Sequence, residues 1–156
     1  MISSILIVLL IVALDQLTKW LVLSSFRLFE SRTLIEGFLY LTRRFNTGAA
    51  WSLFEGQLGF FIVITIIALG LFVVLLKEAL TKRKPWQWIG LSVMIGGTIG
   101  NFIDRLRFGG VVDFIDVFIF TYDFPVFNVA DSALTVGLIA FMIGVWLDER
   151  RPRPNE

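Results

Sequence analysis

Four apolar stretches of about twenty residues dominate the sequence and restrict the chain to a helical, membrane-spanning architecture. They cover residues 2–23, 58–76, 86–103 and 128–147. Hydrophobic side chains make up 56% of the 156 residues, which is more than a soluble domain of this length carries. The sequence therefore predicts an α-helical integral membrane protein with four transmembrane helices, and residues 1–156 are expected to form a single membrane-embedded domain. The first span is expected to be retained, because it is long, carries Asp15 and Lys19, and lacks a signal-peptide cleavage site.

Basic residues close to the span ends predict the orientation of the helices. The second connection and the C-terminal tail contain closely spaced basic side chains, namely Lys77, Lys82, Arg83, Lys84, Arg150, Arg151 and Arg153. Arginines on the opposite side are nearly as numerous, but they are spread over two longer loops, residues 24–57 and 104–127. We therefore expect both termini in the cytoplasm and both long loops outside. Strand-like segments at residues 38–42, 111–120 and 122–127 predict a small extracytoplasmic β-sheet in those loops.

Polar side chains from distant segments are expected to converge on one layer near the outer surface. They are Asp15, Asn46, Asn101, Arg105, Asp113, Asn128 and Asp131, with glycines at Gly96, Gly97 and Gly100. An ionisable group at membrane depth is costly and commonly marks a functional site. The convergence of these residues is the strongest inference that the pattern supports without a resemblance.

Each of these residues also has a purely structural interpretation. Asp15 and Lys19 are spaced i, i+4 and can form an ion pair, with Lys19 extending toward the interface. The spacing of Gly96 and Gly100 favours close helix packing. Asn101 and Arg105 share a helix face, where they either cap the helix end or contact a ligand.

The acidic residues of the last loop and helix have structural interpretations as well. Asn128 is a good helix N-cap, and Asp131 is then a first-turn acid stabilised by the helix dipole. Asp104, Asp116 and Asp123 are interpreted as solvated loop charges, with Asp104 pairing locally with an arginine.

The composition excludes several kinds of catalytic site, because the sequence contains no cysteine and no histidine. Thiolate nucleophiles, histidine bases and His/Cys zinc sites are therefore excluded. Two carboxylates that approach closely cannot both ionise readily, so Asp113 and Asp131 can share one proton and activate water for amide hydrolysis. The sequence thus predicts an intramembrane aspartyl protease, with no metal or other cofactor expected and no nucleic-acid partner.

Five segments resemble the lipoprotein signal peptidase (signal peptidase II) family of bacteria. They are Asp15-Gln16-Leu17-Thr18-Lys19, Asn46-Thr47-Gly48-Ala49-Ala50-Trp51-Ser52, the run from Gly96 to Arg105, Val112-Asp113-Phe114-Ile115-Asp116 and Phe127-Asn128-Val129-Ala130-Asp131-Ser132. The segments occur in the family order and extend over residues 15 to 132. One such segment alone is a weak signal, whereas five in order are highly specific.

The resemblance implies a four-helix aspartyl peptidase of the inner membrane with an extracytoplasmic β-cradle. Such enzymes cleave diacylglyceryl-modified prolipoproteins just before the lipidated cysteine and are inhibited by the cyclic peptide globomycin. The catalytic aspartates map by motif onto Asp113 and Asp131. The other functionally important positions map onto Asp15, Asn46, Gly97, Asn101, Arg105 and Asn128. Membrane lipid is an expected partner, since the diacylglyceryl chains dissolve in the outer leaflet.

Three other interpretations remain open from the residues alone. A small transporter or channel would use Asp15 or Asp131 as a coupling carboxylate, but its loops are expected to be shorter. A Ser–Lys peptidase would use Lys19 with one of the serines Ser24, Ser25, Ser52 or Ser132. A non-catalytic scaffold leaves the convergence of polar residues unexplained.

Overall fold

The computed structural model describes residues 1–48, 53–120 and 122–150, and four long helices dominate that part of the chain. Helix α1 spans Ile2–Ser25, α2 spans Leu58–Thr81, α3 spans Pro85–Phe108 and α4 spans Val129–Glu149. All four apolar stretches are helical, as predicted. The helices end a few residues later than predicted, because the helical backbone continues into the polar residues that follow each apolar run. At the end of α2, for example, Lys82 Nζ lies 2.7 Å from Glu78 Oε1.

The third helix is the centre of the molecule and packs against α1, α2 and α4. Helices α1, α2 and α4 are long and apolar enough to cross a membrane, whereas α3 carries more polar residues because it faces other helices. Glycines allow the close packing. A Cβ added to Gly90 would lie 2.6 Å from the carbonyl oxygen of Gly137, and one added to Gly96 would lie 2.7 Å from Ile11 Cβ. The packing role expected for Gly96 is therefore confirmed.

The two long loops form one antiparallel four-stranded sheet with the order β1-β2-β3-β4. Strand β1 spans Ser31–Ile35, β2 spans Leu39–Asn46, β3 spans Val111–Ile119 and β4 spans Tyr122–Asp123. The predicted sheet is confirmed, although β1 was not predicted. Every residue of β1 is exposed, so the strand has no alternation of buried and exposed residues to reveal it.

The predicted strand at residues 122–127 is wrong beyond Asp123. Pro125 follows two residues later and lacks the N–H group that a strand donates to its neighbour. Pairing returns at Phe127, which forms an isolated bridge with Ile115.

The sheet packs against the end of α1 through a buried cluster of Val22, Val112 and Phe114. Helix α3 ends at Phe108 and is capped by Gly109, whose φ of 78° lies in the left-handed region that glycine adopts without steric cost. The chain then enters β3 at Val111, so Asp113 follows closely after the end of the central helix. Residues 49–52, which close the second of the five segments, and the tail arginines Arg151 and Arg153 lie outside the described residues.

Candidate active site

Asp113 on β3 and Asp131 on α4 line the same cavity, which has a volume of about 1090 Å³. Asn46, Asn101 and Arg105 line it too, whereas Asp15, Gly97 and Asn128 are not among its lining residues. Asp113 is buried and Asp131 is half-buried. Within the described ranges, no three His, Cys, Asp or Glu side chains are arranged to hold a metal ion. The structure thus brings both predicted carboxylates to one site.

Asn128 connects the two aspartates. As the N-cap of α4, it accepts a hydrogen bond from Asp131 N on its side-chain oxygen at 2.9 Å, and its own N–H donates to Asp131 Oδ2 at 3.1 Å. This reciprocal pair is a capping box, so the cap and first-turn acid expected from the sequence are confirmed. The side-chain nitrogen of Asn128 donates to Asp113 Oδ1 at 2.7 Å. One residue therefore holds both carboxylates.

Two further amides complete the hydrogen bonding of the aspartates. Asn46 Nδ2 donates to Asp113 Oδ2 at 3.2 Å, and Asn101 Nδ2 donates to Asp131 Oδ1 at 2.7 Å. Strand β2 supplies Asn46, and the central helix supplies Asn101. Each carboxylate thus accepts two N–H donors, which fixes the direction of its oxygens.

The environment of Asp113 favours its protonated form. Burial, as the larger cause, and the nearby charge of Asp131 together raise the pKa of the Asp113 carboxyl from 3.8 to about 7. Hydrogen bonds from Asn46 and Asn128 oppose that rise without cancelling it. A carboxyl with this pKa holds its proton for a substantial fraction of the time at neutral pH.

Behind the cavity lies a cluster of buried charges, which we call the Lys19 cluster, formed by Lys19, Asp15 and Asp104. Lys19 Nζ lies 2.9 Å from Asp15 Oδ2 and 3.0 Å from Asp104 Oδ2, and all three side chains are almost fully buried. The predicted Asp15–Lys19 pair is confirmed, but the expectation that Lys19 extends to the interface is wrong. Its ammonium group turns inward because two carboxylates compensate the loss of hydration.

The prediction that Asp104 and Asp116 are solvated loop charges is also wrong. Asp104 lies in α3, one turn after Asn101, so it faces α1 and pairs with Lys19 rather than with an arginine. It also accepts a hydrogen bond from Val112 N at 3.1 Å. Asp116 lies on a buried face of β3 and accepts a hydrogen bond from Thr42 Oγ1. Asp123 is exposed, as expected.

Asp15 and Gly97 both act on the beginning of α4. Asp15 Oδ1 accepts a hydrogen bond of 2.9 Å from Ala130 N, which is one of the first N–H groups of that helix. A Cβ on Gly97 would collide with the carbonyl oxygen of Ala130. A Cβ on Gly100 would collide with the carboxylate of Asp15. Small residues on α3 therefore let α4 begin close enough to place Asp131 at the cavity.

Arg105 also lines the cavity. Its Nη2 donates to the carbonyl oxygen of Gly48 at 3.4 Å, and its guanidinium carbon lies 4.7 Å from the centre of the Phe61 ring. The side chain therefore contacts the first outer loop and helix α2 from its position on α3. Arg105 thereby lines the same cavity as the two aspartates.

The hydrogen bonding of Lys19 and Ser132 does not favour a Ser–Lys pair. Lys19 Nζ directs its donors at Asp15, Asp104 and Asn101 Oδ1, the last at 2.9 Å. Ser132 Oγ donates to the carbonyl oxygen of Asn128 at 2.9 Å. Ser52 lies outside the described residues.

Comparison with known proteins gives a consistent result along most of the chain. The sequence model of the family described as "Signal peptidase (SPase) II" matches residues 7–147. The lipoprotein signal peptidase of Staphylococcus carnosus is 44% identical over 144 residues, covering 92% of this chain and 89% of the relative. That of Geobacillus kaustophilus is 45% identical over 146 residues, covering 94% of both chains.

Two solved structures share the fold. A bacterial membrane enzyme solved by the in meso method at 2.3 Å resolution superimposes with a TM-score of 0.87 and 39% identity, covering 99% of this chain and 93% of the other. A second, solved by the same method at 1.9 Å resolution, gives a TM-score of 0.80 and 41% identity, covering 92% of each chain.

Proposed function

The chain belongs to the signal peptidase II family, and we propose that Asp113 and Asp131 form its catalytic aspartate pair. The protein is accordingly a membrane peptidase that removes signal peptides from prolipoproteins. The observation that carries the proposal is that Asn128 donates hydrogen bonds to both carboxylates at one cavity. The whole chain, residues 1–156, acts as one membrane-embedded peptidase domain.

The aspartate pair hydrolyses an amide by exchanging a single proton with water and substrate. The ionised carboxylate takes a proton from a water molecule, whose oxygen attacks the scissile carbonyl carbon. The protonated carboxyl donates its proton to the carbonyl oxygen, which gives a tetrahedral diol. Collapse of the diol breaks the C–N bond as the leaving nitrogen receives a proton from the pair. One hydroxyl of the diol gives its proton to the other carboxylate as the carbonyl re-forms, so the pair again holds a single proton and is ready for the next cycle.

The cavity has the two kinds of surface that a lipidated peptide requires. Its polar end contains the aspartate pair and Arg105, and its apolar side is formed by Ile64 and Phe72 of α2 with Val136 of α4. Ile64 and Val136 are also exposed on the outside of the helices. The cavity therefore reaches the lipid-facing surface, where an apolar signal sequence and diacylglyceryl chains arrive without crossing water. We infer that the substrate is the diacylglyceryl-modified prolipoprotein, cut just before the lipidated cysteine.

The other residues that match the family's motifs support the pair in distinct ways. Asn46, Asn101 and Asn128 fix the carboxylate oxygens through their amide nitrogens. Arg105 is placed to donate to a substrate carbonyl. Asp15 and Gly97 hold the start of α4 against α3 and thereby set the position of Asp131.

The protein resides in the inner membrane, and we propose that the sheet and the active site lie at its extracytoplasmic face. The concentration of lysines and arginines beyond the ends of α2 and α4 supports cytoplasmic termini. Globomycin-type cyclic peptides are expected to inhibit the enzyme by occupying the cavity, since they combine an apolar body with peptide groups.

The decisive experiment measures cleavage of a diacylglyceryl-modified prolipoprotein by purified wild type, Asp113→Asn and Asp131→Asn. We expect each variant to fold and to lose essentially all cleavage. The one aspartate of the pair that each variant keeps has no partner carboxylate with which to share a proton. Asp123→Asn is a matched control, since Asp123 is an exposed carboxylate at the cavity rim. Full activity of either site variant would contradict the assignment of the pair. Transport of an ion or solute without any cleavage would instead favour a transporter.

A further inference from the structure

Lys19 is a buried cation whose donors reach the edge of the aspartate pair. Only 2% of its side chain is exposed, and its ammonium contacts Asp15 Oδ2, Asp104 Oδ2 and Asn101 Oδ1 at 2.9, 3.0 and 2.9 Å. An ammonium has three donors and no acceptor, so each donor has one partner here. The first two contacts balance charge, whereas the third joins the Lys19 cluster to the active site.

The contact with Lys19 determines which end of the Asn101 amide faces Asp131. Because an ammonium only donates, the amide oxygen of Asn101 must point toward Lys19. The amide nitrogen is then on the far side, where it donates to Asp131 Oδ1 at 2.7 Å. With the opposite orientation, an oxygen would face the carboxylate of Asp131 and repel its negative charge.

Asn128 contributes to the same orientation, but its contribution is divided. Its side-chain nitrogen lies 2.7 Å from Asp113 Oδ1, 3.0 Å from Asn101 Oδ1 and 3.3 Å from the carbonyl oxygen of Val112. Two hydrogens cannot serve three acceptors fully at one time. The hydrogen bond from Lys19 to Asn101 is charge-assisted, and the donor that makes it is not shared with another acceptor. It therefore constrains the Asn101 amide more strongly than the shared donor of Asn128 does.

We propose that Lys19 is a positioning residue for the reaction: by holding the Asn101 amide nitrogen toward Asp131, it makes Asp131 the ionised member of the aspartate pair and Asp113 the proton carrier. Asp131 is also the half-buried member and lies at a helix N-terminus, where negative charge is stabilised. Asp113 is the more deeply buried member. The inference rests on the proposed peptidase function and specifies which aspartate accepts the proton from water and which one donates a proton to the substrate.

Other charges near the pair do not reproduce the effect of Lys19. The charged groups around the aspartate pair are Asp15, Lys19, Asp104 and Arg105 on the helices and, at the cavity wall, Arg44, Glu55 and Asp123. Arg105 attracts both carboxylates, and so does the charge of Lys19 taken by itself. Lys19 differs from Arg105 because it also holds the Asn101 amide, whose nitrogen donates to Asp131 and not to Asp113.

The test compares wild type with the double variant Lys19→Met and Asp104→Asn, which keeps the charge of the buried cluster constant and leaves no hydrogen-bond donor in the side chain at position 19. Cleavage of a diacylglyceryl-modified prolipoprotein is measured as kcat and KM against pH. We expect kcat to fall about tenfold to hundredfold with little change in KM. The acidic limb of the kcat profile should move upward by about one pH unit, since the ionised pair loses a fixed donor. In an Asn101→Ala background the same two changes should have almost no further effect on kcat.

Gln16→Met is the control for a merely structural role. Gln16 Nε2 binds the same carboxylates, at 3.2 Å from Asp15 Oδ2 and 3.0 Å from Asp104 Oδ1, without contacting Asn101. Its loss should lower the melting temperature and leave the pH profile in place. An unmoved acidic limb in the double variant, or effects that simply add to those of Asn101→Ala, would overturn the proposal.

If the double variant does not fold, Asn101→Asp provides the second test. It presents an acceptor to Asp131 while retaining a partner for Lys19, so it should also move the acidic limb upward. A normal profile in that variant contradicts the inference. Failure of the proposed function looks different, because wild type itself would then fail to cleave, or Asp113→Asn and Asp131→Asn would remain active.

Discussion

Asn128 and Asp131 hold each other by two reciprocal hydrogen bonds, from Asp131 N to Asn128 Oδ1 at 2.9 Å and from Asn128 N to Asp131 Oδ2 at 3.1 Å. The same carboxylate that closes the capping box lines the cavity. The structural and the catalytic interpretations of Asp131 are therefore compatible, because the cap is what aims the carboxylate.

The two roles of Asn128 can be separated by comparing Asn128→Ser with Asn128→Ala. Serine retains an oxygen that caps the helix but lacks the amide nitrogen that donates to Asp113. We expect Asn128→Ala to be less stable than Asn128→Ser by about 1 kcal/mol, while both lose cleavage to a similar extent. Thermal unfolding and kcat measure the two effects. Near-normal cleavage by Asn128→Ser would show that the amide nitrogen is dispensable.

The raised pKa of Asp113 predicts a specific pH dependence of stability. In the folded protein the pKa is about 7, whereas the ordinary value is 3.8. Between these values the folded state binds a proton that the unfolded chain has released, so rising pH lowers the free energy of unfolding. The Asp113→Asn variant has no carboxyl to ionise at this position, so its stability should decline less over this range, by on the order of 4 kcal/mol. Parallel stability curves for wild type and variant would contradict the shift.

The same titration predicts the basic limb of the activity profile. Cleavage needs one proton on the aspartate pair, and the Asp113 carboxyl loses its proton as pH rises through about 7. We therefore expect kcat to decline above neutral pH. A rate that stays constant well above that value would argue against Asp113 as the carrier of the proton.

Gly97 should be intolerant of even one additional methyl group. A Cβ there would collide with the main-chain oxygen of Ala130, and neither helix can move without displacing Asp131. We expect Gly97→Ala to lower kcat at least about tenfold and to destabilise the protein by about 1–3 kcal/mol through overpacking. Gly70→Ala is the matched control, because a Cβ at Gly70 meets nothing within 4 Å. That change should be neutral or stabilising by up to about 1 kcal/mol.

Arg105 should contribute to substrate binding through its charge and its donors. Arg105→Gln removes the charge beside the cavity and weakens the contact with the carbonyl oxygen of Gly48. We expect kcat/KM to fall about tenfold or more, with loss of a charge-assisted hydrogen bond as the cause. Arg107→Gln, two residues later on an exposed part of the same helix, should behave as wild type. Equal kinetics for the two variants would show that Arg105 does not contribute to substrate binding.

The membrane orientation can be tested directly because the sequence contains no cysteine. Phe120→Cys places a thiol on the β3–β4 turn, where 96% of the wild-type side chain is exposed, and Lys82→Cys places one after α2. A membrane-impermeant maleimide added to intact spheroplasts should label Cys at 120 only. Labelling at 82 should appear after permeabilisation. The reverse pattern would invert the proposed topology.

The linear pattern of residues was sufficient for the broad outline of this protein. Apolar runs of membrane length predict the helices, because the bilayer leaves a backbone few other ways to satisfy its hydrogen bonds. The absence of cysteine and histidine restricts the chemistry. The cap at Asn128 is local, so it is visible in the order of residues from 128 to 131. These features depend on neighbours in the chain or on the surrounding solvent.

Tertiary packing alone decided the environment of the individual charges. Asp104 and Lys19 lie on different helices, and nothing in the residues around either one reveals that they meet in the interior. Asp116 looks like a loop charge until the sheet turns its side chain inward. The orientation of the Asn101 amide depends on contacts with residues far away in sequence. Helix periodicity determines which residues share a face, but only the packed structure determines what that face meets.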